Sequence, residues 1–324
     1  MQKIALAIHG GAGTIDRARM TPELEREYRG GLGAALTKGW DILKKGGSSV
    51  DAVEAAVCSL EDFPLFNAGR GSVFTHEGRQ EMDACIMDGY RLQAGGVAAL
   101  CNIKNPISVA RIVMYECEHI LLSGRGALEF AEQNGFHQMP DEYFFTEHRW
   151  LQYQEAFAAG RVELDHNEST FAAKAKTRPV GSARDAATKA LGTVGAVACD
   201  KDGFLAAATS TGGMTNKRNG RLGDSASVGQ GTYADDVVAV SCTGHGEYFM
   251  LGVTAYDVAA RMKYKGLSLE NAASESVERL TNIKGEGGLI AVDARGNVAM
   301  PFNSEGMYRG SIRDSSEMTI EIYR

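Results

Sequence analysis

The chain contains two pairs of apolar segments, and an Asp-Gly dipeptide stands between the two segments of each pair. This pattern constrains the fold more than any other feature of the sequence. Residues 82–87 and 91–102 flank Asp88-Gly89, while residues 193–199 and 204–210 flank Asp202-Gly203. Asp-Gly between apolar runs is a strong β-hairpin signal, because both residues tolerate the positive φ of a tight turn. Helical spacing occurs around both hairpins. The chain is therefore predicted to combine antiparallel sheet with helices on both faces.

The helical segments carry recognisable start and stop signals. Thr21-Pro22 supplies an N-cap followed by proline at the first helical position, and the helical pattern continues to Lys45. A second helix is predicted from Ser49 to Glu61, where apolar residues recur on one face. Further helices are predicted near residues 106, 126–133, 248–262 and 269–282. The apolar segment 3–8 is predicted to be a buried strand that enters the glycine loop 9–13.

Glycine is unusually frequent, with 39 of 324 residues, whereas an average protein has roughly 7%. Glycine-rich loops often bind phosphate, but residues 9–14 lack the third glycine of GxGxxG, and GxxxxGK[ST] does not occur. Dinucleotide binding is thus the least favoured hypothesis. GxSxG and HExxH are also missing from the sequence, so neither a serine-histidine triad nor a zinc hydrolase is supported.

Charge and cysteine spacing exclude several other classes of protein. The net charge is −7, and no half of the chain is basic enough to attract nucleic acid or an anionic membrane. No apolar run approaches the roughly 18 residues that would span a bilayer. The start of the chain does not resemble a signal peptide, so we expect a cytoplasmic protein. The six cysteines form no CxxC pair, which argues against structural zinc and thioredoxin-type chemistry.

The step from Gly192 to Thr193 is the first candidate for chemistry. Residues 172–190 contain no aromatic residue and many small or basic ones, so a flexible surface linker is predicted over about 161–192. Cleavage after Gly192 would expose Thr193 as a terminal residue whose α-amino group, with a pKa of roughly 7.7–8.0, can take the hydroxyl proton. Threonine before a strand is common, so this feature alone also fits a purely structural role.

Motifs along nearly the whole chain resemble the plant-type L-asparaginase, or isoaspartyl peptidase, family. The second half carries GTVGAVACD (192–200), AAATSTGGMTNK (206–217), GRLGDS (220–225) and SCTGHGE (241–247). The first half carries IHGGAGT (8–14), PLFNAGRGSVF (64–74) and EMDACIMDG (81–89). The end carries GGLIAVD (287–293) and GNVAMPFNSEGMYR (296–309). Because the motifs occur in the family's order, chance matching is negligible.

This resemblance implies an α+β fold, the four-layer αββα sandwich of the N-terminal nucleophile (Ntn) hydrolases. It also implies a precursor that cleaves itself into an α subunit, residues 1–192, and a β subunit, residues 193–324. The two together form one domain, and two such units form an (αβ)2 heterotetramer. The implied reaction releases L-aspartate from β-aspartyl dipeptides and L-asparagine, without an organic cofactor.

The family pattern assigns four catalytic positions. Thr193 matches the nucleophile, and Thr211 matches the second threonine that orients the nucleophile by hydrogen bonding. Thr243, through its hydroxyl, and Gly244, through its amide, match an oxyanion hole. Losing one oxyanion donor typically costs about 10²–10³ in rate.

The substrate-binding positions come from the same motifs. Arg221 and Asp224 match the groups that bind the α-carboxylate and α-ammonium of the substrate, and an arginine fork suits a carboxylate. Without the family match, they would more simply be a surface ion pair. Gly246 matches a main-chain contact to the ammonium end. Asn67 has two readings: a residue that shapes the site, or a left-handed turn residue before Gly69.

The loop from Leu60 to Arg70 resembles the family's structural sodium site. Relatives hold the ion there with main-chain carbonyls, so side-chain identity matters little. A simple solvated loop is the alternative. The positions carried over are Leu60, Glu61, Phe63, Phe66, Ala68 and Arg70.

Two alternatives to the leading hypothesis remain open. A glycosylasparaginase is one, although Gly192 stands where related lysosomal enzymes have aspartate, and no cysteine framework is present. The other is a relative that cannot process itself and only binds amino acids. That alternative predicts a damaged nucleophile or clamp, whereas Thr193, Arg221 and Asp224 are all present. The linker also looks longer and more basic than in compact bacterial relatives.

Overall fold

The computed structural model describes residues 4–15, 17, 20–162, 192–314 and 317–324. Its strands are β1 (Ala5–Gly13), β2 (Met82–Asp88), β3 (Gln93–Leu100), β4 (Leu121–Ser123), β5 (Val194–Cys199), β6 (Leu205–Thr211), β7 (Thr232–Ala234), β8 (Val238–Gly244), β9 (Gly287–Asp293), β10 (Val298–Ala299), β11 (Gly306–Arg313) and β12 (Thr319–Tyr323). Its helices are α1 (Pro22–Lys44), α2 (Ser49–Glu61), α3 (Pro106–Glu116), α4 (Gly124–Gln133), α5 (Asp141–Phe144), α6 (Glu147–Ala158), α7 (Gly246–Gly252), α8 (Thr254–Lys265) and α9 (Leu269–Asn282). Most of the predicted linker, residues 163–191, lies outside the described residues.

The strands form two sheets that pack face to face. The larger sheet has the order β12-β11-β1-β5-β6-β2-β3-β4, and the smaller has the order β10-β9-β8-β7. Both predicted hairpins, β2-β3 and β5-β6, are present and lie side by side in the larger sheet. The pairing of β3 with β4 is parallel, and the other named strand pairs are antiparallel.

Helices cover the outer face of each sheet and complete the four layers. The core under α1, α2 and α3 receives Val194, Ala196 and Ala198 from β5, whereas Val197 and Cys199 of that strand point to the other sheet. The helices α8 and α9 bury a separate apolar cluster against β8 and β9. This is an αββα sandwich, so the predicted fold class is confirmed.

The helix caps agree with the sequence signals. The side chain of Thr21 accepts a hydrogen bond from the Leu24 amide at the start of α1, and Ser48 accepts one from the Asp51 amide at the start of α2. Such caps satisfy amides that have no partner within the helix. The longest helix has 23 residues. Across the described part of the chain, no helix is long and apolar enough to cross a membrane.

Two elements differ from the sequence prediction. Residues 9–13 continue β1 as an extended strand with a register shift between His9 and Gly11, instead of forming a loop. The single helix predicted over 248–262 is two helices separated at Val253, which has φ 47° and ψ 47°. The amides of Ala255 and Tyr256 donate to main-chain carbonyls of residues 230 and 229. These tertiary bonds hold the start of α8 in a new direction.

The two sheets approach each other closely at Gly195, in the second position of β5. A Cβ atom placed there would lie 2.0 Å from Ser241 Oγ and 2.4 Å from His9 Nε2. Real Cβ atoms do not approach other heavy atoms so closely, so any side chain at this position would force β1, β5 and β8 apart. Glycine at position 195 therefore sets the spacing of the layers beside Thr193.

We expect Gly195→Ala to destabilise the fold by about 1–3 kcal/mol, because overpacking a closed interface forces backbone shifts. A thermal unfolding scan of the purified protein measures the effect. Gly30→Ala is the matched control, since no atom lies within 4 Å of its Cβ position on the exposed side of α1. That substitution should be neutral or stabilising by up to about 1 kcal/mol. Equal midpoints for the two variants would contradict the close packing at Gly195.

Candidate active site

The hydroxyl of Thr193 lies at the end of β5 beside the hydroxyl of Thr211. Because β5 and β6 are antiparallel with Val194 opposite Ser210, the next positions outward bring the two threonines together. Thr193 Oγ1 donates to Thr211 Oγ1 at 3.1 Å, and the Gly213 amide donates to the same oxygen at 3.0 Å. Thr193 is 8% exposed. The hydroxyl of Thr193 is thus buried, oriented and in reach of a small ligand.

His9 fixes the carbonyl of Thr193 from the facing side. Its Nδ1 atom is 2.9 Å from the Thr193 carbonyl oxygen, and its Nε2 atom is 2.9 Å from Ser241 Oγ. Burial lowers the pKa of His9 to about 3, so the ring is neutral. Since a carbonyl can only accept, Nδ1 carries the proton and Nε2 accepts from Ser241. Ser241 in turn contacts Thr209 Oγ1 at 2.7 Å.

A small pocket opens in front of Thr193. Thr243 and Asn67 are not among its lining residues, although both matched the family pattern. Thr243 Oγ1 accepts a hydrogen bond at 3.2 Å from the amide of Ala12, which does line the pocket, so the Thr243 hydroxyl borders the pocket lining. The predicted site residues that line the pocket are Gly192, Thr193, Thr211, Arg221, Asp224, Gly244 and Gly246.

Asn67 shapes the turn that carries Gly213. Its Nδ2 atom donates to the Gly213 carbonyl at 2.8 Å, and its Oδ1 atom accepts from the Val73 amide at 3.1 Å. The positive φ of this segment belongs to Gly69, at 51°, and not to Asn67. The geometry corresponds to the site-shaping reading of Asn67 and not to the turn reading.

Arg221 already holds a carboxylate, that of Glu247. Its Nε and Nη2 atoms donate to the two carboxylate oxygens at 2.9 and 2.8 Å. Although burial opposes it, hydrogen bonds from His245 and Arg221 hold the pKa of Glu247 well below its usual value. The Nη1 atom of Arg221 faces Gly213 and Gly223, whose Cβ positions would lie 3.5 and 3.0 Å from it. An incoming ligand can therefore reach Nη1 without displacing Glu247.

Asp224 is a buried carboxyl that also lines the pocket. Its Oδ2 atom has no hydrogen-bond partner among the described residues. Burial raises the pKa of Asp224 to about 7, and the charge of Arg221 opposes that rise. A Cβ atom on Gly246 would lie 2.9 Å from Asp224 Oδ1, so only glycine leaves room in front of the carboxylate. Such a group is suited to accept hydrogen bonds from a cationic ligand.

The two ends of the loop from Leu60 to Arg70, where the family resemblance predicts a sodium ion, lie against each other. A Cβ atom on Gly69 would lie 2.4 Å from the Glu61 carbonyl oxygen, so the two ends of the loop touch. The carbonyls of Phe63, Phe66 and Ala68 each accept a main-chain hydrogen bond, and that of Leu60 accepts from Phe63 and Asp62. A carbonyl oxygen is also the type of ligand that a hard cation takes. The Arg70 side chain is exposed.

The Glu61 side chain is buried and bonded elsewhere. It accepts from Ser210 Oγ at 2.6 Å, from the Ile107 amide at 3.1 Å and from Asn105 Nδ2 at 3.1 Å. Burial raises the pKa of Glu61 to about 8. Its carboxyl group ties α2 to β6 one residue before Thr211, independently of any ion.

Comparison with known proteins agrees with this geometry. Residues 2–322 match the family described as asparaginase. The chain belongs to the asparaginase family. It is 49% identical to an isoaspartyl peptidase of Salmonella typhimurium, with 100% of both chains covered. It is 48% identical to an isoaspartyl peptidase of Escherichia coli, with 100% of this chain and 97% of the relative covered.

A human relative is more distant but aligns over almost the same length. The human isoaspartyl peptidase/L-asparaginase is 42% identical, with 97% of this chain and 94% of the relative covered. The family resemblance inferred from the motifs is therefore confirmed. Membership in the asparaginase family makes the chain a hydrolase of the Ntn type.

Sequence reasoning missed several residues that the asparaginase fold brings to this site. Glu247 follows the SCTGHG motif in the first turn of α7, where an acid is ordinary, so nothing local marked it as the partner of Arg221. His9 contacts the Thr193 carbonyl, and His245 Nε2 lies 3.3 Å from Glu247 Oε2. Ser241 and Thr209 carry no sequence signal, because their role depends on two sheets meeting.

Asp224 should make the stability of this protein depend on pH. Burial raises its folded-state pKa from 3.8 to about 7, so the folded chain binds the proton more tightly between those values. The free energy of unfolding therefore falls as the pH rises through that window. Asp224→Asn should remove this slope, a difference that accumulates to about 4 kcal/mol.

Urea unfolding at pH 4, 5.5 and 7 measures the slope for both proteins. Asp236→Asn is the control, because a hydrogen bond to Lys263 lowers the pKa of this largely exposed carboxyl. The control should keep the parental slope over this window. An unchanged slope in Asp224→Asn would show that Asp224 is ionised throughout.

Proposed function

We propose that this protein is an N-terminal threonine hydrolase that releases L-aspartate from β-aspartyl dipeptides and L-asparagine. The observation that carries the proposal is the Thr193 hydroxyl, 3.1 Å from Thr211 Oγ1, facing a pocket that holds one arginine and one buried carboxyl. A cation and an anion that line the same small pocket suit a zwitterionic amino acid. The relatives named isoaspartyl peptidase and isoaspartyl peptidase/L-asparaginase support this substrate class.

Activation begins with the bond between Gly192 and Thr193. Thr193 Oγ1 attacks the Gly192 carbonyl carbon, the peptide bond to the Thr193 nitrogen breaks, and an ester forms. Water then hydrolyses that ester and leaves two pieces, residues 1–192 and 193–324. Glycine at 192 keeps the carbonyl open to attack, and the released α-amino group becomes the base that an internal amide cannot be.

Turnover uses the same hydroxyl. The free amino group of Thr193 takes the hydroxyl proton, and Oγ1 attacks the side-chain carbonyl of the substrate. Thr211 holds the nucleophile, while the hydroxyl of Thr243 and the amide of Gly244 stabilise the oxyanion. Because Thr243 Oγ1 accepts from Ala12, its own proton is available for donation. The leaving amine takes the proton from Thr193, and water then releases aspartate from the acyl-enzyme.

The two ends of the aspartyl group are held separately. Nη1 of Arg221 receives the α-carboxylate, and Asp224 receives the α-ammonium next to the Gly246 main chain. An α-ammonium stabilises ionised Asp224, so binding lowers its pKa from about 7. The leaving group lies outside this clamp. Asparagine and β-aspartyl dipeptides therefore present the same aspartyl end and differ only in the amine that departs.

We further propose three properties of the assembled protein. The subunits 1–192 and 193–324 remain one αββα domain, because β5 pairs with β1 of the other subunit. Two such units form an (αβ)2 heterotetramer in the cytoplasm. The loop from Leu60 to Arg70 holds a structural sodium ion through main-chain carbonyls, and no organic cofactor takes part.

Thr193→Ala should abolish both self-cleavage and turnover, because it removes the only hydroxyl that this mechanism uses as nucleophile. A denaturing gel with intact-mass analysis should show pieces that end at Gly192 and begin at Thr193 in the parent, and a single 34.7 kDa chain in the variant. Thr193→Ser is the matched control and should still cleave. A parent that stays at 34.7 kDa after prolonged incubation, or a variant that cleaves, would refute the mechanism.

Arg221→Ala should lower kcat/KM for a β-aspartyl dipeptide by about 10²-fold, as expected when a charged hydrogen bond to the substrate is lost. Steady-state kinetics of the cleaved enzyme provide the measurement. Arg218→Ala removes the same charge from an exposed position in the same loop and should change kcat/KM little. Similar values for the two variants would mean that Arg221 does not bind the substrate carboxylate.

A further inference from the structure

A buried ion pair lies next to Gly213, a residue of the pocket lining, and takes no part in the chemistry proposed above. Lys217 is 2% exposed and Asp83 is 1% exposed, with Lys217 Nζ 4.0 Å from Asp83 Oδ2. Neither residue lines the pocket. Burying two charges is costly, and a pair of apolar residues is often at least as stable. Stability alone therefore gives no reason for charges at this place in the fold.

The Lys217-Asp83 pair lies next to the turn at Gly213, whose amide donates to the Thr211 hydroxyl. Asp83 is opposite Thr211 in the β2-β6 register. A Cβ atom placed on Gly213 would lie 3.2 Å from both Cδ and Nζ of Lys217, so the lysine side chain packs along Gly213. Gly213 has φ 81°, a conformation that glycine adopts readily and that its neighbours must hold in place.

Gly213 connects the pair to the reacting atoms. Its amide donates to Thr211 Oγ1 at 3.0 Å, and Thr211 Oγ1 accepts the Thr193 hydroxyl at 3.1 Å. Lys217 is held by hydrogen bonds from its main chain and from its side chain. Its amide donates to the Met214 carbonyl at 3.2 Å, and its Nζ donates to the Glu81 carbonyl at 3.2 Å. The turn is thus pinned to β2 by one charged side chain.

Asp83 completes this tie to β2. Its Oδ1 atom accepts from the Ala99 amide at 2.8 Å, which fixes the carboxylate, and its Oδ2 atom faces Lys217. Within the described residues Oδ2 has no hydrogen-bond partner, so the ammonium is the positive charge that balances it. Without Lys217 the carboxylate would be buried alone, close enough to act on the charges of Arg221 and Asp224.

We propose that Lys217, held by Asp83, is a positioning residue that braces Gly213 and thereby keeps the Thr211 hydroxyl against the Thr193 nucleophile. This inference rests on the proposed threonine mechanism. Lys217 touches neither the substrate nor the reacting atoms. Its effect should therefore be on the rate of the chemical step, and the aspartyl end of the substrate should bind as before.

The test compares Lys217→Met, Asp83→Asn and the double variant on β-aspartyl-leucine. The rates are expressed per free Thr193 N-terminus, counted by intact mass, so that slow maturation is not mistaken for slow turnover. We expect both single variants to lose about 10²-fold in kcat, the size of effect that a misplacement of about 1 Å can produce. KM should stay within about threefold in the double variant, because no lone charge is then left buried near the clamp at Arg221 and Asp224.

The double variant separates positioning from stability. Neither charge is then buried alone, so the thermal midpoint should recover toward the parent, whereas kcat should remain at the level of the single variants because the tie to Gly213 is missing. Recovery of kcat together with the midpoint would overturn the proposal. If Lys217→Met alone does not fold, the double variant decides in the same way.

Lys263→Met is the matched control, because Lys263 also pairs with a buried carboxylate, Asp235, at 2.9 Å but lies on α8. It should lower the midpoint and leave kcat unchanged. If the parent turns over substrate and Lys217→Met has the same kcat as the parent, the positioning role is refuted and the proposed function is not. A parent with no turnover of β-aspartyl-leucine or asparagine would instead refute the proposed function.

Discussion

The close contact of the two sheets at the start of β5 is the constraint on which the rest of the structure depends. Gly195 lets β8 approach until Ser241 reaches His9, and His9 then holds the Thr193 carbonyl. This contact fixes the nucleophile from the side opposite Thr211. The layer between the sheets combines alanines such as Ala7 and Ala207 with larger residues such as Leu205 and Ile290. A side chain at position 195 itself would separate the sheets and leave the His9 ring without its partners.

Charge in this site is held in place by glycine and burial together. Asp224 and the Arg221-Glu247 pair occupy a small region where Gly213, Gly223 and Gly246 leave no space for a side chain. Low local dielectric strengthens every interaction there and makes each unpaired charge costly. Among the described residues, Asp224 Oδ2 has no hydrogen-bond partner, so it remains able to accept from a ligand. Gly213, Gly223 and Gly246 are the glycines that allow this close packing of backbone around charges.

Much of the architecture could be read from local patterns. Caps at Thr21 and Ser48, and the turns at Asp88-Gly89 and Asp202-Gly203, depend on the chemistry of a few consecutive residues, and the structure has the corresponding elements. The break at Val253 could not be read in this way, because it arises from hydrogen bonds to a loop more than twenty residues earlier. The continuation of β1 through its glycines likewise depends on pairing with β11 at the other end of the chain.

The sequence by itself determined the two hairpins, the helix starts at Thr21 and Ser48, the family, and the residue types at the candidate site, because these depend on local spacing and on motifs. Only the tertiary structure decided how those residues meet. The carboxylate of Glu247 accepts hydrogen bonds from Nε and Nη2 of Arg221. The neutral His9 ring binds the Thr193 carbonyl, and the Lys217 side chain packs along Gly213. Each of these contacts joins side chains from different elements, and its strength comes from burial that exists only once the two sheets have packed together.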